Sequence, residues 1–518
     1  MGHDVYIYTA NEKPFLPGGP HMPRHTLARR IGYGGAAFAT EIAASLGNAL
    51  VNVNGAALAG AYGANAADAG WLLAAYVAPA ICATLFIVRA RQQFGIEPVT
   101  QIVLLIYAGA VLMQFVAPGF ASALLTRAAC GLTTAGLTEY TIYNMLQIFP
   151  PLKRPIGIVL AFGILQLSVP LARLFPVELL TTGAGHGLSF IELALALGTF
   201  AVVTFHPVPQ TVRARVFRPL DFLTLLLFAP AIFLVCCVLA EGRALWWTDT
   251  PWLGWALMAA IPLLVGALYI EGQRSSPLLI IRWLTARDII RFGMVALLVR
   301  FALAEQTFGA VGLLTAGGLN NDQLRGLFMG VLLAMIAGST MGIFLLTPDR
   351  QASAVFCAAL FILTGALLDS SASNLTKPAQ LYLSQSLIGF GAALFLGPVL
   401  IFGFQRMIKH GPDAFISFVV LFSMTQNIGA LLGAAALGSY QTIQARRHAS
   451  DLTSHLLAGD PQVAARSNLP AIIARESNVL AFNDVFLIVA CLAALTALFM
   501  AYRVFLYHRQ IRLQEVKS

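Results

Sequence analysis

Residues 127–155 read R-A-A-C-G-L-T-T-A-G-L-T-E-Y-T-I-Y-N-M-L-Q-I-F-P-P-L-K-R-P, and this stretch decides the fold. As an α-helix, residues 124–147 span roughly 35 Å, enough to cross the hydrocarbon core of a bilayer. Two prolines end the helix because neither donates a backbone hydrogen bond, and the two cations after them mark a cytoplasmic end. The crossing still contains Arg127 and Glu139. Since ionisable groups at membrane depth face a protein interior or a water-filled path, the stretch predicts a membrane span along a solute pathway.

The composition indicates a polytopic membrane protein. Hydrophobic residues make up 58% of the 518 positions and charged residues 11%, against about a quarter charged in soluble proteins. The formal net charge is +9, and we expect those cations in cytoplasmic loops rather than on a surface that binds nucleic acid. The six cysteines lie in apolar runs and read as core residues. Nucleotide-binding and zinc-protease motifs are absent from the sequence, so we expect neither a cofactor nor an enzyme.

Apolar runs recur along the chain and predict an all-α protein with fourteen transmembrane helices and both termini in the cytoplasm. The polar, proline-containing first residues are expected to be disordered. The predicted organisation is a cytoplasmic tail at 1–30, a six-helix bundle at 31–206, a basic linker with two extra helices at 207–288, a second six-helix bundle at 289–507 that includes an extracytoplasmic loop at 444–478, and a cytoplasmic tail at 508–518.

The motif R-x-x-x-G at Arg127 and Gly131, followed by P-P-x-K-R at 150–154, resembles the fourth helix of the major facilitator superfamily. More narrowly, the chain is similar to EmrB/QacA-type drug:proton antiporters, which have two extra helices between their halves. The resemblance implies alternating-access efflux of amphipathic compounds across a bacterial inner membrane, driven by protons. It also implies a periplasmic adaptor protein and an outer-membrane channel as partners, because relatives with a long outer loop work with both.

Three family motifs are present only in part. Residues 46–53 read L-G-N-A-L-V-N-V, which lacks the acid of the family's L-D-x-T-I-V-N-V. The loop at 89–95 keeps two arginines and a glycine but lacks the usual aspartate, and we interpret Arg89 and Arg91 as topology determinants. The antiporter motif at 163–173 has lost its later glycines, which argues against ordinary drug:proton exchange. An importer or uniporter of an organic anion, or a membrane component that does not transport, therefore remains an alternative.

Glu139 is the first candidate for the group that binds the coupling proton, with Glu305 and Glu41 as reserves. The family commonly has proline at the position of Glu139, so the assignment depends on the cost of burying a charge in lipid. A glutamate simply paired with a neighbouring helix is the structural alternative. Arg300 lies roughly 14 Å beyond Arg291 by helical rise, near mid-membrane, and about 140° around the helix from Glu305, so the sequence does not predict a local pair.

The substrate or cavity candidates are polar residues within predicted spans. By the resemblance, Arg127 contacts the substrate or the proton site, and Arg300 is suited to an anionic substrate. Glu41, Ser45, Asn48 and Asn52 share one helical face, which is either a polar seam between helices or a cavity lining. The complete set of cavity candidates is Arg127, Arg300, Asn48, Asn52, Gln166 and Gln426.

Two further expectations concern the second half of the chain. Gly429 and Gly433 form a G-x-x-x-G motif, which predicts close helix packing. The charged, helix-compatible segment at 444–478 is longer than a tight connection needs, and we expect it to contact the adaptor or to cap the exit.

Overall fold

A computed structural model describes residues 9, 12–14, 18–211, 213–347, 350–409, 411, 414–456 and 468–515. In these residues the regular structure is helical, and an isolated bridge joins Pro20 to Thr211. Thirteen helices in this described part are long and apolar enough to cross a membrane. The helix at Phe120–Ile148 is equally long but less apolar, because it is rich in threonine and glycine and carries Arg127 and Glu139. With it, the helices match the fourteen predicted spans.

The chain forms two compact units, and the first comprises the described residues of Met1–Arg291 and Ile401–Asn427. The helices through the central pair and the short helix after it are α1 (Leu27–Ala61), α2 (Ala69–Phe94), α3 (Ile96–Val116), α4 (Phe120–Ile148), α5 (Arg154–Gln166), α6 (Ser168–Ala172), α7 (Val177–Phe205), α8 (Pro219–Glu241), α9 (Pro251–Gln273) and α10 (Ile281–Leu284). Within this unit, α1 packs against α4 and α7, α3 packs against the same two helices, and α2 packs against α4 and α8.

The second unit comprises the described residues of Phe292–Leu400 and Ile428–Ser518. The remaining helices are α11 (Arg287–Ala302), α12 (Val311–Ala316), α13 (Arg325–Phe344), α14 (Gln351–Asp369), α15 (Tyr382–Lys409), α16 (Ala414–Ser454) and α17 (Leu469–Glu515). A π-helix at Glu305–Ala310 interrupts the first span of this half, between α11 and α12. The last helix, α17, packs along α14 and against the π-helix.

The described part of the N-terminal tail is ordered, so the expectation of disorder is wrong there. The backbone N–H of His21 donates to Gln210 O over 3.0 Å, and Gln147 Nε2 donates to His21 O over the same distance. The His25 ring hydrogen-bonds Gln147, and the Met22 side chain is buried. The linker and the end of α4 therefore supply partners that the polar composition could not reveal. Most of residues 1–17 lie outside the described part.

The two glycines of α16 pack as the motif predicts. A Cβ atom at Gly433 would lie 2.8 Å from Phe301 O, and one at Gly429 would lie 3.2 Å from the Arg300 side chain. Only a residue without a side chain permits this approach of α16 to α11.

The segment predicted as an outer loop is largely helical. α16 continues to Ser454 and α17 begins at Leu469, so most of 444–478 extends these two helices. Residues 457–467 lie outside the described part.

Candidate functional site

Arg127, in the stretch that decides the fold, is neutralised by a residue that is not among the predicted site residues. Arg127 on α4 forms an ion pair with Glu192 on α7, and both side chains are buried. Arg127 Nη1 also donates to Gly47 O on α1 over 3.3 Å. These two contacts join three helices, and removing one partner of the pair would leave a buried charge uncompensated. Glu192 is an acid within an apolar span, and that signal alone could have identified it as a candidate.

Gly47 makes room for this ion pair. A Cβ atom at Gly47 would lie 2.9 Å from Tyr107 Oη and 3.0 Å from Glu192 Oε1. The family motif that residues 46–53 resemble has an acid at the position of Gly47. In this fold the carboxylate next to Arg127 comes from α7 instead of α1.

Glu139, the first candidate for proton binding, also has a cationic partner. Arg91 Nε on α2 lies 2.6 Å from Glu139 Oε2, and Arg91 is only 1% exposed. Arg91 also donates to Tyr143 Oη on the same side of α4. Arg91 therefore does more than set topology, because its buried guanidinium pairs with Glu139. The geometry matches the alternative of a glutamate paired with a neighbouring helix.

Arg89 has a different environment from Arg91. Its guanidinium donates to Val216 O over 2.8 Å and to Pro277 O over 3.3 Å. Arg89 therefore fixes backbone on either side of the α8–α9 pair, beyond any effect on topology.

Glu41 on α1 is fully buried and has hydroxyl groups as neighbours. Thr138 Oγ1 on α4 donates to Glu41 Oε1 over 3.1 Å, and the Thr141 hydroxyl, which hydrogen-bonds the Thr40 hydroxyl over 2.8 Å, lies near the carboxyl group. Among the described residues, Glu41 Oε2 has no hydrogen-bond partner and Glu41 forms no ion pair. The polar face of α1 that begins at Glu41 is more exposed towards the end of the helix, since Asn48 is half-buried and Asn52 is exposed.

The other candidates are dispersed. Glu305 in the π-helix is fully buried and accepts a hydrogen bond of 3.0 Å from Gln385 Nε2 on α15. Arg300 packs its stem on Gly429, while Glu305 contacts Gln385. Gln166 ends α5 half-buried, with its Oε1 atom unpartnered among the described residues, and Gln426 on α16 is half-buried.

No family model and no curated sequence matches the chain. Among solved structures, it is similar to the human organic anion transporter MFSD10 (TETRAN), with a TM-score of 0.55 at 14% identity, covering 90% of this chain and 100% of that one. It is similar to the POT family transporter PepTSo, with a TM-score of 0.56 at 15% identity over 92% of this chain and 99% of that one. For the proton:xylose symporter XylE the TM-score is 0.52 at 12% identity, over 93% and 97%.

Likeness at these identities shows the fold. The chain is a multi-pass, all-α membrane protein with the major facilitator fold, and the predicted fold class is confirmed. The narrower resemblance to EmrB/QacA-type antiporters is not shown by these likenesses.

Proposed function

We propose that this chain, which has the major facilitator fold, is a secondary active transporter that exports amphipathic organic compounds in exchange for protons. Alternating access would expose one solute site to each side of the membrane in turn. The observation that carries the proposal is the environment of Glu41, a buried membrane carboxyl group that accepts a hydrogen bond from the Thr138 hydroxyl and forms no ion pair among the described residues.

A carboxyl group that couples transport to protons must keep its hydrogen bonds both as a carboxylate and as a neutral acid, so that neither form is strongly disfavoured. Threonine hydroxyls meet this requirement at Glu41, because a hydroxyl can donate to a carboxylate and accept from a carboxylic acid. In the absence of a cation, the neutral acid is the cheaper form to bury, and entry of water or substrate would favour release.

Glu139 and Glu192 meet the requirement less well, because an arginine lies against each of them. Protonation of either carboxylate would leave a buried guanidinium without its counter-charge. Glu41 therefore replaces Glu139 as the first candidate, and the two ion pairs act as structural links between α2, α4 and α7.

The accessible end of the α1 face supports a role in solute contact. Asn48 and Asn52 lie one and two turns along the same face from Ser45 and are progressively more exposed than Glu41. Their amides supply both donors and acceptors to a polar group on an amphipathic compound. The periplasmic adaptor and the outer-membrane channel belong to this proposal through the resemblance alone.

The test begins with a growth screen that finds compounds more toxic to cells without the protein. A compound found in this way is then used with purified protein in liposomes that contain a pH-sensitive dye. We expect Glu41→Gln to abolish transport driven by a pH gradient while retaining exchange of labelled for unlabelled compound, which needs no net proton release. Glu178→Gln, at an exposed position on α7, is the control and should match the wild type.

Gradient-driven transport at the wild-type rate by Glu41→Gln would contradict the coupling role. Accumulation of an organic anion in the direction of entry would instead support the importer alternative.

A further inference from the structure

Two carboxyl groups in the second unit share a single amide donor. Gln385 Nε2 on α15 donates to Glu305 Oε1 over 3.0 Å and to Asp369 Oδ2 over 2.6 Å. Asp369 is the last residue of α14, and Glu305 opens the π-helix. All three side chains are at most 1% exposed. The fold thus brings acids from two separate spans to one buried amide.

The described surroundings supply these carboxyl groups with no positive charge. The recorded ion pairs among the described residues include neither acid. Asp369 is the charged group that faces Glu305, while Arg300 on the preceding helix packs on Gly429. The Ser384 hydroxyl, which donates to Leu381 O, lies near Asp369.

The helix packed against the π-helix does not supply a counter-charge either. α17 presents the rings of Phe482 and Phe486 to the glycines that follow Glu305. Of its charged groups, Arg475 donates to Asn374 O, Glu476 hydrogen-bonds the Asn374 amide, and Asp484 hydrogen-bonds His448.

Three buried oxygen atoms of this cluster lack a hydrogen-bond partner among the described residues. They are Glu305 Oε2, Asp369 Oδ1 and the amide oxygen of Gln385. Buried polar atoms are nearly always paired, and an unpaired one costs free energy. Two negative charges at one amide would also repel each other strongly in a site that excludes water. The cluster as described therefore lacks at least one positively charged or hydrogen-bond-donating species.

We propose that Glu305 and Asp369 form a proton-binding pair that holds one proton between two carboxyl groups, with Gln385 as the residue that positions both. The proton comes from water and returns to it, so no other reactant is needed. A single proton removes one of the two negative charges and adds the donor that an orphaned oxygen requires. The use of this proton in transport depends on the proposed function, but its binding does not.

Infrared spectroscopy of the purified, substrate-free protein tests the pair, with protons as the only ligand. Protonated carboxyl groups give an absorption band separate from that of carboxylates. We expect the wild type to show one band of a protonated carboxyl group from this pair, and we expect that band to be absent at the same frequency in Glu305→Gln and in Asp369→Asn. The double variant should show no larger loss than either single variant, because interacting groups are not additive.

Further variants separate the alternatives. Asp322→Asn, which changes a partly exposed acid paired with Arg325 in the same unit, should leave the band unchanged. Gln385→Leu should move the band without removing it, because the amide acts through the two acids. Glu41→Gln should remove a different band, so failure of the Glu41 assignment and failure of this pair are distinguishable.

Three results would overturn the proposal. The first is a band that responds to only one of the two acids, and the second is two independent, additive bands. The third is a band that disappears when sodium replaces choline in the buffer, which would assign the site to a metal cation. A variant is compared with the wild type only if its elution volume and melting temperature are unchanged, so that loss of folding is not mistaken for loss of the proton.

Discussion

Glu192 on α7 neutralises Arg127 on α4, although 65 positions of sequence separate the two residues. The same guanidinium contacts the backbone of Gly47, where the resembled motif has an acid. The carboxylate that neutralises Arg127 therefore comes from α7 and not from position 47 on α1.

The first prediction concerns the stability of this pair. Glu192→Gln leaves a buried arginine without its counter-charge, and we expect a loss of about 3–5 kcal/mol in the free energy of unfolding. The Arg127→Met/Glu192→Leu double variant should lose much less, because neither buried charge remains. Unfolding by heat in detergent measures both, and an equal loss in the single and double variants would contradict the role of the pair.

The second prediction moves the acid back to α1. Gly47→Asp alone should destabilise the protein, because its Cβ atom would lie 2.9 Å from Tyr107 Oη and 3.0 Å from Glu192 Oε1. When Glu192→Ala removes that carboxylate, Asp at position 47 would lie beside the guanidinium. We expect the double variant to be more stable than Glu192→Ala alone, as read from melting temperatures. A double variant that is less stable than Glu192→Ala would show that position 47 cannot supply the charge.

The third prediction separates Glu139 from the coupling proton. Glu139→Gln should lower the yield of folded protein, because Arg91 is left buried without its counter-charge. The Arg91→Gln/Glu139→Gln double variant removes both charges and should retain transport driven by a pH gradient in liposomes. If the double variant is folded and exchanges substrate but no longer responds to the gradient, Glu139 binds the coupling proton after all.

The fourth prediction tests the topology. A cysteine at Ser454 should react with a membrane-impermeant thiol reagent from outside intact cells, and one at Gln210 should react only after lysis, because positive loops stay in the cytoplasm. Both positions are exposed. The background should lack the native cysteines, since Cys357 and Cys491 are exposed as well. Reversed labelling would invert the predicted orientation of the termini.

The spans could be predicted from the sequence because each depends on a local property. A helix that crosses a bilayer needs a continuous apolar run of sufficient length, and turn residues mark its ends. The predicted fourth span at 124–147 thus lies within the observed helix Phe120–Ile148. The glycines at 429 and 433 also indicated close packing correctly, since missing side chains permit it at any depth.

The sequence by itself therefore determined the helical fold, the approximate bounds of its spans, and the fact that acids and arginines lie within them. Only the tertiary structure decided which of those charges meet. Arg127 forms an ion pair with Glu192, and Arg91 forms one with Glu139. Glu305 and Asp369 both accept a hydrogen bond from the side-chain amide of Gln385. The physical reason is that the partners come from different helices, so their contact depends on which helices pack together and at what depth, and neither is a property of a local stretch of chain.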